Sequence, residues 1–432
     1  MPFERRRIAP RRIAVIGSGV SGLGAAHFLA DQNSVVLFES EGRLGGHART
    51  VIAGKRGDQP VDTGFIVFNY TNYPNLAKMF ADLDVPVAKS SMSFGASIDG
   101  GRIEYGLADL KAIFAQKRNL LRPSYLRMIR DILTFNAQAG DAASDSDLTI
   151  GELTYKLGLG DWFRNYYLAP FSGAIWSTPT SRILDFPAAA MVRFFENHAL
   201  LNYSEQHQWY TVQGGSVQYV DRLARSLEMR GVAIRLKAPV SAVRRTGVGA
   251  EILVNGAEWE SFDEVVFATH SDDTLRMLSD VTGVERTALS AIRYQPNEAI
   301  LHADHSIMPK RRRCWSSWVY TEGKASNRER IGLTYWMNSL QPIPQDDPHF
   351  VTLNATRPIR EDLIYDQATF RHPVFDLAAL AAQDTVRAIN GNNRTWFCGA
   401  WLKNGFHEDG LSSAVDVVQG MQAQVGASIA AE

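Results

Sequence analysis

The chain has 432 residues, a formal net charge of −1, 45% hydrophobic residues and 21% charged residues. This composition is typical of a globular enzyme, and the 10% aromatic content excludes a largely disordered chain. The near-neutral charge argues against a nucleic-acid-binding protein, which usually carries a basic excess. The length predicts two or three domains, or two lobes built from interleaved segments.

The N-terminal segment and the cysteines bear on location. Arg5, Arg6 and Arg7 precede an apolar stretch, as in a secretory signal, but Arg11, Arg12 and closely spaced glycines interrupt it. No apolar run reaches about 18 residues, so the sequence predicts no transmembrane helix. The two cysteines cannot form a disulfide framework, which indicates a reducing compartment. We expect a cytoplasmic protein that can also lie peripherally at the inner membrane face.

The first predicted elements form a nucleotide-binding unit. A short β-branched strand at Ile13–Ile16 leads into a G-x-G-x-x-G turn, and a small-residue helix follows. The turn consists of Gly17, Ser18, Gly19, Val20, Ser21 and Gly22. A second strand, Ser34–Phe38, ends at Glu39, which lies 22 residues after Gly17 (39 − 17 = 22).

Each residue type of this unit has a chemical reason. Gly17 permits the tight turn, Gly19 lets the backbone approach a pyrophosphate, and Gly22 allows close packing of helix on strand. The free N–H groups of the first helical turn can donate to phosphate oxygens. The Glu39 carboxylate can accept hydrogen bonds from ribose hydroxyls. The unit therefore predicts a dinucleotide site.

The segment after Glu39 distinguishes between dinucleotides. A simple NAD domain would continue into a helix here, whereas this chain has a cation, a glycine doublet and then a strand. The doublet lets backbone lie against a flat or charged ligand, and Arg43 can pair with a pyrophosphate. The candidate residues of this segment are Ser40, Arg43, Gly45, Gly46, His47, Thr63 and Gly64.

This segment resembles the FAD-binding motif of the flavin-containing amine oxidase superfamily, which also contains phytoene-type desaturases and protoporphyrinogen oxidase. The usual motif is R-x-G-G-R, and His47 stands where its second arginine is usual, with Arg49 as a candidate substitute. The resemblance implies FAD that is bound non-covalently; a covalent link through His47 is the alternative.

Two later segments resemble the same superfamily. Gly214-Gly215 precedes a helical pattern, and a buried strand at Asp263–Thr269 follows it. The resemblance implies that the backbone of Val240 contacts the adenine. Near the C-terminus a predicted strand leads to Gly399. We expect Asp409 to cap a helix that begins at Gly410 and continues through Leu411 and Ala414. The resemblance places this helix N-terminus against the flavin. For the His407 and Glu408 side chains we expect a polar loop.

The resemblance implies an α/β fold, in which a Rossmann-like FAD/NAD(P)-binding domain is interleaved with a substrate domain of helices and antiparallel sheet. We expect residues 1–85, 205–270 and 385–432 to build the FAD-binding domain. Residues 86–204 and 271–384 then form the substrate-binding domain. The first of these inserts is predicted to be mostly helical, and the second to contain tryptophan-rich strands such as Cys314–Tyr320.

Three segments resemble a narrower group, the bacterial FAD proteins associated with cyclopropane-synthase-like methyltransferases. They are Gly45–Thr50, Val61–Asn69 and Gly405–Leu411. Membership implies desaturation of a methyl-branched, unsaturated fatty acyl chain of a phospholipid to a conjugated diene, as in furan fatty acid synthesis. A flavin amine or polyamine oxidase is the alternative enzyme. A non-catalytic lipid-binding protein on the same fold is the alternative outside enzymes.

Individual catalytic residues are not assigned. The ten histidines are scattered, so we expect no metal site, and no G-x-S-x-G nucleophile motif is present. Amine oxidases of the superfamily commonly use a lysine near the flavin. Lys310 and Lys403 are the candidates for it, and Trp401 is a candidate aromatic wall.

Two segments fit an acyl substrate. Residues 107–135 interleave apolar positions with basic ones, which suits contact with an anionic membrane surface; a core-packed helix pair with a solvated basic face is the plainer interpretation. Residues 163–176 form an apolar and aromatic run that suits an acyl tunnel, and core packing is again the plainer interpretation. The predicted partner is thus a fatty acyl lipid, with no nucleic acid.

Overall fold

The computed structural model describes residues 10–143, 148–176, 180, 183–197, 200–201, 207–323 and 331–431, the side chains of 427–431 excepted. Its strands are β1 (Arg12–Ile16), β2 (Ser34–Phe38), β3 (Thr50–Ala53), β4 (Gln59–Asp62), β5 (Val67–Phe68), β6 (Val87–Ser90), β7 (Phe94–Ile98), β8 (Ile103–Gly106), β9 (Trp209–Val212), β10 (Ala233–Arg235), β11 (Val240–Arg245), β12 (Ala250–Val254), β13 (Trp259–Phe262), β14 (Glu264–Phe267), β15 (Arg293–His302), β16 (Trp318–Thr321), β17 (Leu333–Trp336), β18 (Phe350–Leu353), β19 (Ile364–Val374) and β20 (Thr395–Phe397).

The helices, in chain order, are α1 (Val20–Leu29), α2 (Pro74–Asp82), α3 (Leu110–Ile113), α4 (Pro123–Ala142), α5 (Ile150–Lys156), α6 (Asp161–Phe163), α7 (Ala169–Trp176), α8 (Ala188–Asn197), α9 (Val217–Met229), α10 (Ser271–Met277), α11 (Gly283–Ala291), α12 (Met337–Leu340), α13 (Leu377–Ile389) and α14 (His407–Ala431). A 3₁₀ turn at Lys117–Leu121 precedes α4, and a π-helical turn at Arg164–Leu168 precedes α7.

A parallel sheet of five strands, in the order β10-β2-β1-β14-β20, carries the predicted nucleotide unit. Its central strand β1 is buried on both faces, which explains its run of apolar residues without alternation. The α/β fold predicted from the sequence is confirmed. The five strands come from three separate stretches of the chain, as an interleaved fold requires.

A second sheet has seven strands, in the order β19-β15-β18-β17-β16-β7-β8. Its pairs are antiparallel except β16 with β7, which is parallel. The expectation of a mostly helical first insert is incomplete, because β6, β7 and β8 lie within it. The strand expected at Cys314–Tyr320 begins only at Trp318, since Arg312–Cys314 form a 3₁₀ turn.

Two of the expected domain boundaries run through shared structure. Strand β6 belongs to the expected substrate domain, yet it pairs with β9, which belongs to the expected FAD domain. Strands from both expected domains therefore share one small sheet, in the order β5-β9-β6. The division into two domains stays a prediction.

The C-terminal helix α14 packs along α1, and small residues make this close approach possible. A Cβ on Gly24 would lie 2.4 Å from a Leu411 methyl, and one on Gly410 would lie 2.8 Å from the Val20 side chain. The expected start of this helix at Gly410 is wrong, because α14 begins at His407. Within the described chain, no helix is long and apolar enough to cross a membrane.

Candidate functional site

A cavity of about 1500 Å³ lies between the parallel sheet, the seven-stranded sheet and the helices of the first insert. The G-x-G-x-x-G turn, the end of β2 and the R-x-G-G segment form one part of its wall. Pockets for one small molecule usually measure about 300–1,000 Å³. The cavity therefore has room for a dinucleotide together with a second molecule.

The three glycines of the turn have different surroundings. Gly17 has φ +98°, and a Cβ there would lie 2.9 Å from the Ala268 carbonyl oxygen. A Cβ on Gly22 would lie 1.8 Å from the Gly17 carbonyl oxygen, so this position demands glycine for packing. A Cβ on Gly19 would meet nothing within 4 Å. Gly19 thus presents bare backbone to the cavity at the N-terminus of α1, as pyrophosphate binding requires.

The Glu39 carboxylate is held at the cavity wall by the chain around it. Its Oε2 atom accepts hydrogen bonds from the Ser18 amide at 3.0 Å and the Ser18 hydroxyl at 2.6 Å. Its Oε1 atom accepts from the Ser40 hydroxyl at 3.1 Å and the Glu41 amide at 2.8 Å. These bonds orient the carboxylate beside the glycine turn, where the ribose of a dinucleotide would lie.

The glycine doublet lies against the same turn. The Gly45 amide donates to the Ser18 carbonyl at 3.0 Å, and a Cβ on Gly46 would lie 3.1 Å from the Gly19 Cα. Arg43 lines the cavity and forms an ion pair with Glu41 at 3.1 Å. Gly46 therefore presents bare backbone at the cavity wall beside Gly19, which suits a flat or charged ligand. Gly45 packs against Ala48 and Val220 and does not line the cavity, so its contact with a cofactor stays a prediction.

Arg49, the candidate substitute for the missing arginine, lines the cavity but is already paired. Its guanidinium donates two hydrogen bonds to Asp366, at 2.5 and 3.1 Å, and a third to Thr63 Oγ1 at 3.3 Å. Thr63 and Gly64 also line the cavity, and a Cβ on Gly64 would lie 2.0 Å from the His47 carbonyl oxygen. The Asp366 pair fixes the Arg49 guanidinium at the wall.

Four histidines line the cavity, and sequence reasoning singled out only His47 among them as a cofactor residue. The His47 ring lies 5.8 Å from that of His270 and 5.7 Å from that of His372. Burial lowers the pKa of His47 to about 4 and the pKa values of His270, His372 and His407 to about 3. These imidazoles are therefore neutral at pH 7. The sequence pattern of β19 does not indicate that His372 lies next to His47, because this contact depends on the packing of distant parts of the chain.

The polar loop expected at His407 and Glu408 is wrong for both side chains. The His407 ring stacks on Phe65 with centroids 3.9 Å apart, and its Nε2 atom lies 2.6 Å from the Tyr219 hydroxyl. Glu408 is buried and accepts hydrogen bonds from Asn75 and Leu76 at the start of α2. His407 thus belongs to the cavity wall, and Glu408 supports it from behind.

Asp409 is not the N-cap of a helix at Gly410, because it already lies within the first turn of α14. Its carboxylate accepts a hydrogen bond from the Phe406 amide at 2.9 Å, and burial raises its pKa to about 6. The Asp409 carboxylate therefore accepts from the residue that precedes α14, Phe406, and not from a helix start at Gly410.

The remaining predicted cofactor residues divide into two groups. Gly399 and Ser21 line the cavity, and the Gly399 amide donates to the Ser413 hydroxyl at 2.8 Å. Gly410, Leu411 and Ala414 pack at the interface of α14 with α1, and they do not line the cavity. Val240 begins β11 and also does not line it. Cofactor contacts by these four residues stay predictions.

A group of acids and one histidine lies at the cavity edge. His270, Asp272 and Asp273 bring one ligand atom each within 4.8 Å of one another. Arg371 donates to Asp272 at 2.5 Å and also to Asp273, and Arg276 pairs with both carboxylates. The two arginines neutralise this acidic pair, which explains the cluster as an ion-pair network.

Neither candidate lysine lines the cavity. The Lys403 ammonium donates to the Ser412 hydroxyl at 2.5 Å and pairs with Asp416 at 2.9 Å. Lys310 lies at a separate small pocket beside Glu104. Trp401 does line the cavity, and its indole N–H donates to the Thr269 carbonyl at 3.0 Å. Of the features expected of an amine oxidase, the described residues place the aromatic wall at the cavity but neither candidate lysine.

The first insert supplies an apolar side of the cavity. Tyr167, Phe171, Ile175 and Trp176 face it, so this run lines the cavity, while Phe163 is fully buried in the core. The cavity-lining residues of this insert are Ser91, Met92, Ser93, Phe94, Leu107, Ala108, Leu110, Ile113, Ile129, Ile132, Leu133, Asn136, Tyr167, Phe171, Ile175, Trp176, Phe194 and Leu200. None of these described residues carries a charge.

Comparisons with known proteins agree with this site. The sequence profile of the family described as "Flavin containing amine oxidoreductase" matches residues 20–309. A curated relative, protoporphyrinogen oxidase 2 of Arabidopsis thaliana, is 46% identical over 46 residues, which cover 10% of this chain and only 9% of the relative.

Solved structures share the fold over nearly the whole chain. A CLA-producing fatty acid isomerase from P. acnes has a TM-score of 0.69 at 13% identity and covers 95% of this chain and 99% of its own. A putrescine oxidase variant has a TM-score of 0.69 at 14% identity, covering 96% and 99%. With the family match over more than half of the chain and a cavity that fits a dinucleotide, this protein belongs to the flavin-containing amine oxidoreductase family, a family of FAD-dependent oxidoreductases, and its cofactor is FAD.

Proposed function

We propose that this protein is an FAD-dependent desaturase that converts a methyl-branched, monounsaturated fatty acyl chain to a conjugated diene. The observation that carries the proposal is the uncharged, mostly apolar side of the cavity, from α3 and α4 to α7 and α8. Burying an alkyl chain there releases apolar surface from water on both partners. An amine substrate is a cation, and a cation buried against this side would lack a charged partner.

The reaction removes a hydride from the carbon allylic to the branched double bond and a proton from the next carbon along the chain. The proton passes to a base, for which the neutral imidazoles of the cavity wall are the candidates. A second double bond forms between these two carbons, in conjugation with the first. The methyl branch stabilises the positive charge that develops as the hydride leaves, so the branched alkene lowers the barrier. When bound, FAD supplies the hydride acceptor.

The protein contributes position and surroundings. Gly19, Gly46 and Glu39 provide the bare backbone and the acceptor that hold a dinucleotide at the sheet, leaving the insert side for the chain. The neutral imidazoles of His47 and His407 in the cavity wall offer nitrogen atoms without adding positive charge near the carbon that becomes cationic. The apolar wall excludes water from that carbon.

The fatty acid isomerase structure supports a lipid substrate by fold likeness, and the putrescine oxidase structure supports the amine alternative in the same way. The positions of Lys310 and Lys403 argue against the amine alternative, since neither ammonium reaches the cavity. A lipid carrier without redox chemistry would not need the glycine turn and the acid that bind a dinucleotide.

Anaerobic mixing tests the proposal. The purified yellow protein is mixed with a methyl-branched monounsaturated acyl lipid in detergent, and flavin absorbance is followed. We expect bleaching and a product that is lighter by two hydrogens and absorbs as a conjugated diene. The saturated analogue and the unbranched alkene are the matched controls, and we expect both to react far more slowly. Bleaching by spermine or a simple monoamine, without bleaching by the branched lipid, would assign an amine oxidase instead.

A further inference from the structure

Exposed leucines gather in one short segment of the first insert. Of the fourteen large hydrophobic side chains that are exposed in the described chain, five are leucines between residues 110 and 133. Leu121 is 86% exposed and Leu110 is 73% exposed. The five leucines, which we call the leucine face, are Leu110, Leu120, Leu121, Leu126 and Leu133. Such a concentration of exposed apolar surface marks an interaction site.

The leucine face lies within the most basic part of the insert. Residues 107–135 contain six lysines and arginines against Asp109 and Asp131, a net charge of +4 (6 − 2 = 4), in a chain whose total is −1. Asp131 is buried and pairs with Arg127 and Arg130, so the cations of this segment that it does not pair with are Lys111, Lys117, Arg118 and Arg122. Lys111 and Lys117 are exposed beside the leucines. The partner must therefore be apolar and negatively charged at once.

The leucine face is continuous with the cavity. Leu110 and Leu133 are exposed, and both also line the cavity, so the cavity reaches the protein surface at the leucine face. Ile129, Ile132 and Asn136 continue the wall inward along α4, at the three- and four-residue spacing of one helix face. The Tyr125 hydroxyl donates to the Ile113 carbonyl at 2.6 Å, which ties the end of α3 to the first turns of α4.

We propose that the leucine face docks on an anionic lipid bilayer and that the acyl chain enters the cavity directly from the bilayer, between Leu110 and Leu133. The identity of that chain rests on the proposed function; the docking itself does not. Leucine side chains enter the boundary between headgroups and acyl chains, while neighbouring lysines and arginines meet lipid phosphates. An alkyl chain can then pass from bilayer to cavity without crossing water.

An acidic carrier protein is the other anionic source of acyl chains. Charge alone would suit it, because cations at the mouth would pair with its acids. The leucines favour the bilayer, since Leu121 lies outside the cavity and ion pairs with an acidic protein would not remove it from water. A bilayer removes this side chain from water together with the others.

Vesicle sedimentation tests the docking with the whole FAD-loaded protein. Vesicles of phosphatidylglycerol and phosphatidylcholine are compared with phosphatidylcholine alone, at low and at high salt. We expect binding to the anionic vesicles only, weakened by salt. Replacing Leu120 and Leu121 by serine should reduce partitioning by tenfold or more, since each exposed leucine loses its burial. Lys111→Gln with Lys117→Gln should reduce it about fivefold per charge.

Matched controls replace the same residue types elsewhere. Leu377→Ser and Met229→Ser remove exposed apolar side chains outside the leucine face, and Lys78→Gln removes an exposed cation on α2. These variants should sediment with anionic vesicles as the parent does. Equal losses in control and test variants would mean that the binding is a diffuse property of the surface, and the proposal would be wrong.

A fluorescent label measures insertion directly. Both native cysteines are buried, so a polarity-sensitive dye attached to Leu121→Cys reports on that position, with Leu377→Cys as the control. We expect a blue shift on anionic vesicles for position 121 and none for position 377. No shift at 121, or binding to an acidic acyl carrier protein with no binding to vesicles, overturns the proposal. Flavin bleaching in detergent is measured separately, so failure of the desaturase proposal is distinguishable from failure of docking.

Discussion

The Glu408 carboxylate and Asn75, 333 positions apart in the chain, are joined by two hydrogen bonds. Glu408 Oε1 accepts from the Asn75 amide at 3.0 Å and from its side-chain Nδ2 at 2.7 Å, and Oε2 accepts from the Leu76 amide at 2.9 Å. The residue before α2, Tyr73, provides no side-chain cap. Glu408 therefore caps α2 from the first turn of α14, and it links the two helices behind the cavity wall.

Removing this cap should destabilise the fold. Glu408→Ala leaves the buried Leu76 amide without an acceptor, and we expect a loss of about 1–3 kcal/mol in the free energy of unfolding. Glu408→Gln keeps one acceptor oxygen and should lose less. Urea unfolding of the three proteins measures both differences. Equal stability of parent and alanine variant would contradict the capping role.

Glu39 and Glu408 show which residue positions can be predicted from the sequence and which cannot. The position of Glu39 beside the glycine turn is predictable, because it depends on a strand, a turn and a second strand that are contiguous in the chain. Its contact with a ribose stays a prediction. The role of Glu408 depends on α2, which a local pattern does not connect to residue 408. The same holds for His372, which meets His47 only because β19 lies at the edge of the seven-stranded sheet beside the cavity. The sequence predicts the start of α14 three residues too late, because Gly410 resembles a helix start.

The glycine turn makes a paired prediction about cofactor binding. Gly19→Val should fold, because a Cβ there meets nothing within 4 Å in the protein itself, but its side chain would occupy the space of the pyrophosphate. We expect a protein with near-parental thermal stability in the absence of cofactor and no bound flavin. Gly22→Val should instead fail to fold stably, because its Cβ would lie 1.8 Å from the Gly17 carbonyl oxygen. Flavin absorbance and thermal unfolding separate the two outcomes, and full flavin occupancy in Gly19→Val would refute the assignment of the turn.

Removing the Glu39 carboxylate should weaken cofactor binding, and it also takes the acceptor from the Ser18 and Glu41 amides beside the glycine turn. Glu39→Ala loses the acceptor that faces a ribose, and we expect weaker FAD binding by about 1.5–3 kcal/mol, the range for hydrogen bonds to a charged group. Glu39→Gln keeps the shape and one acceptor and should lie between parent and alanine. Titration of the cofactor-free proteins with FAD measures the three affinities. Unchanged affinity in the alanine variant would exclude Glu39 from the site.

The buried histidines predict acid sensitivity. In the unfolded chain an imidazole has a pKa near 6.5, whereas burial lowers the pKa values of His270, His372 and His407 to about 3 in the folded protein. Below pH 6.5 the unfolded chain binds more protons than the folded one, so stability is lost as the pH falls from 6.5 toward 3. The slope approaches about 1.4 kcal/mol per pH unit for each such imidazole.

Thermal unfolding between pH 7.5 and 5 checks this prediction. His407→Gln, which retains a partner for the Tyr219 hydroxyl, should lower the pH dependence, while His305→Gln at an exposed position serves as the control. A stability that stays constant over this range would show that these imidazoles are not buried neutral groups.

The apolar side of the cavity predicts a chain-length effect. Ile175 on α7 lines the cavity, and a tryptophan there would extend into the space in which the proposed acyl chain lies. We expect Ile175→Trp to lower kcat/KM for a long branched chain by about tenfold or more, while a shortened branched chain keeps most of its rate. Ile175→Val, which removes one methylene, is the matched control and should change both rates little. Flavin content should be unchanged in both variants, because Ile175 lies in the insert and the glycine turn is untouched. An equal fall for long and short chains would mean that the substitution disturbs the reacting centre, and the insert side of the cavity would then not be the chain-binding side.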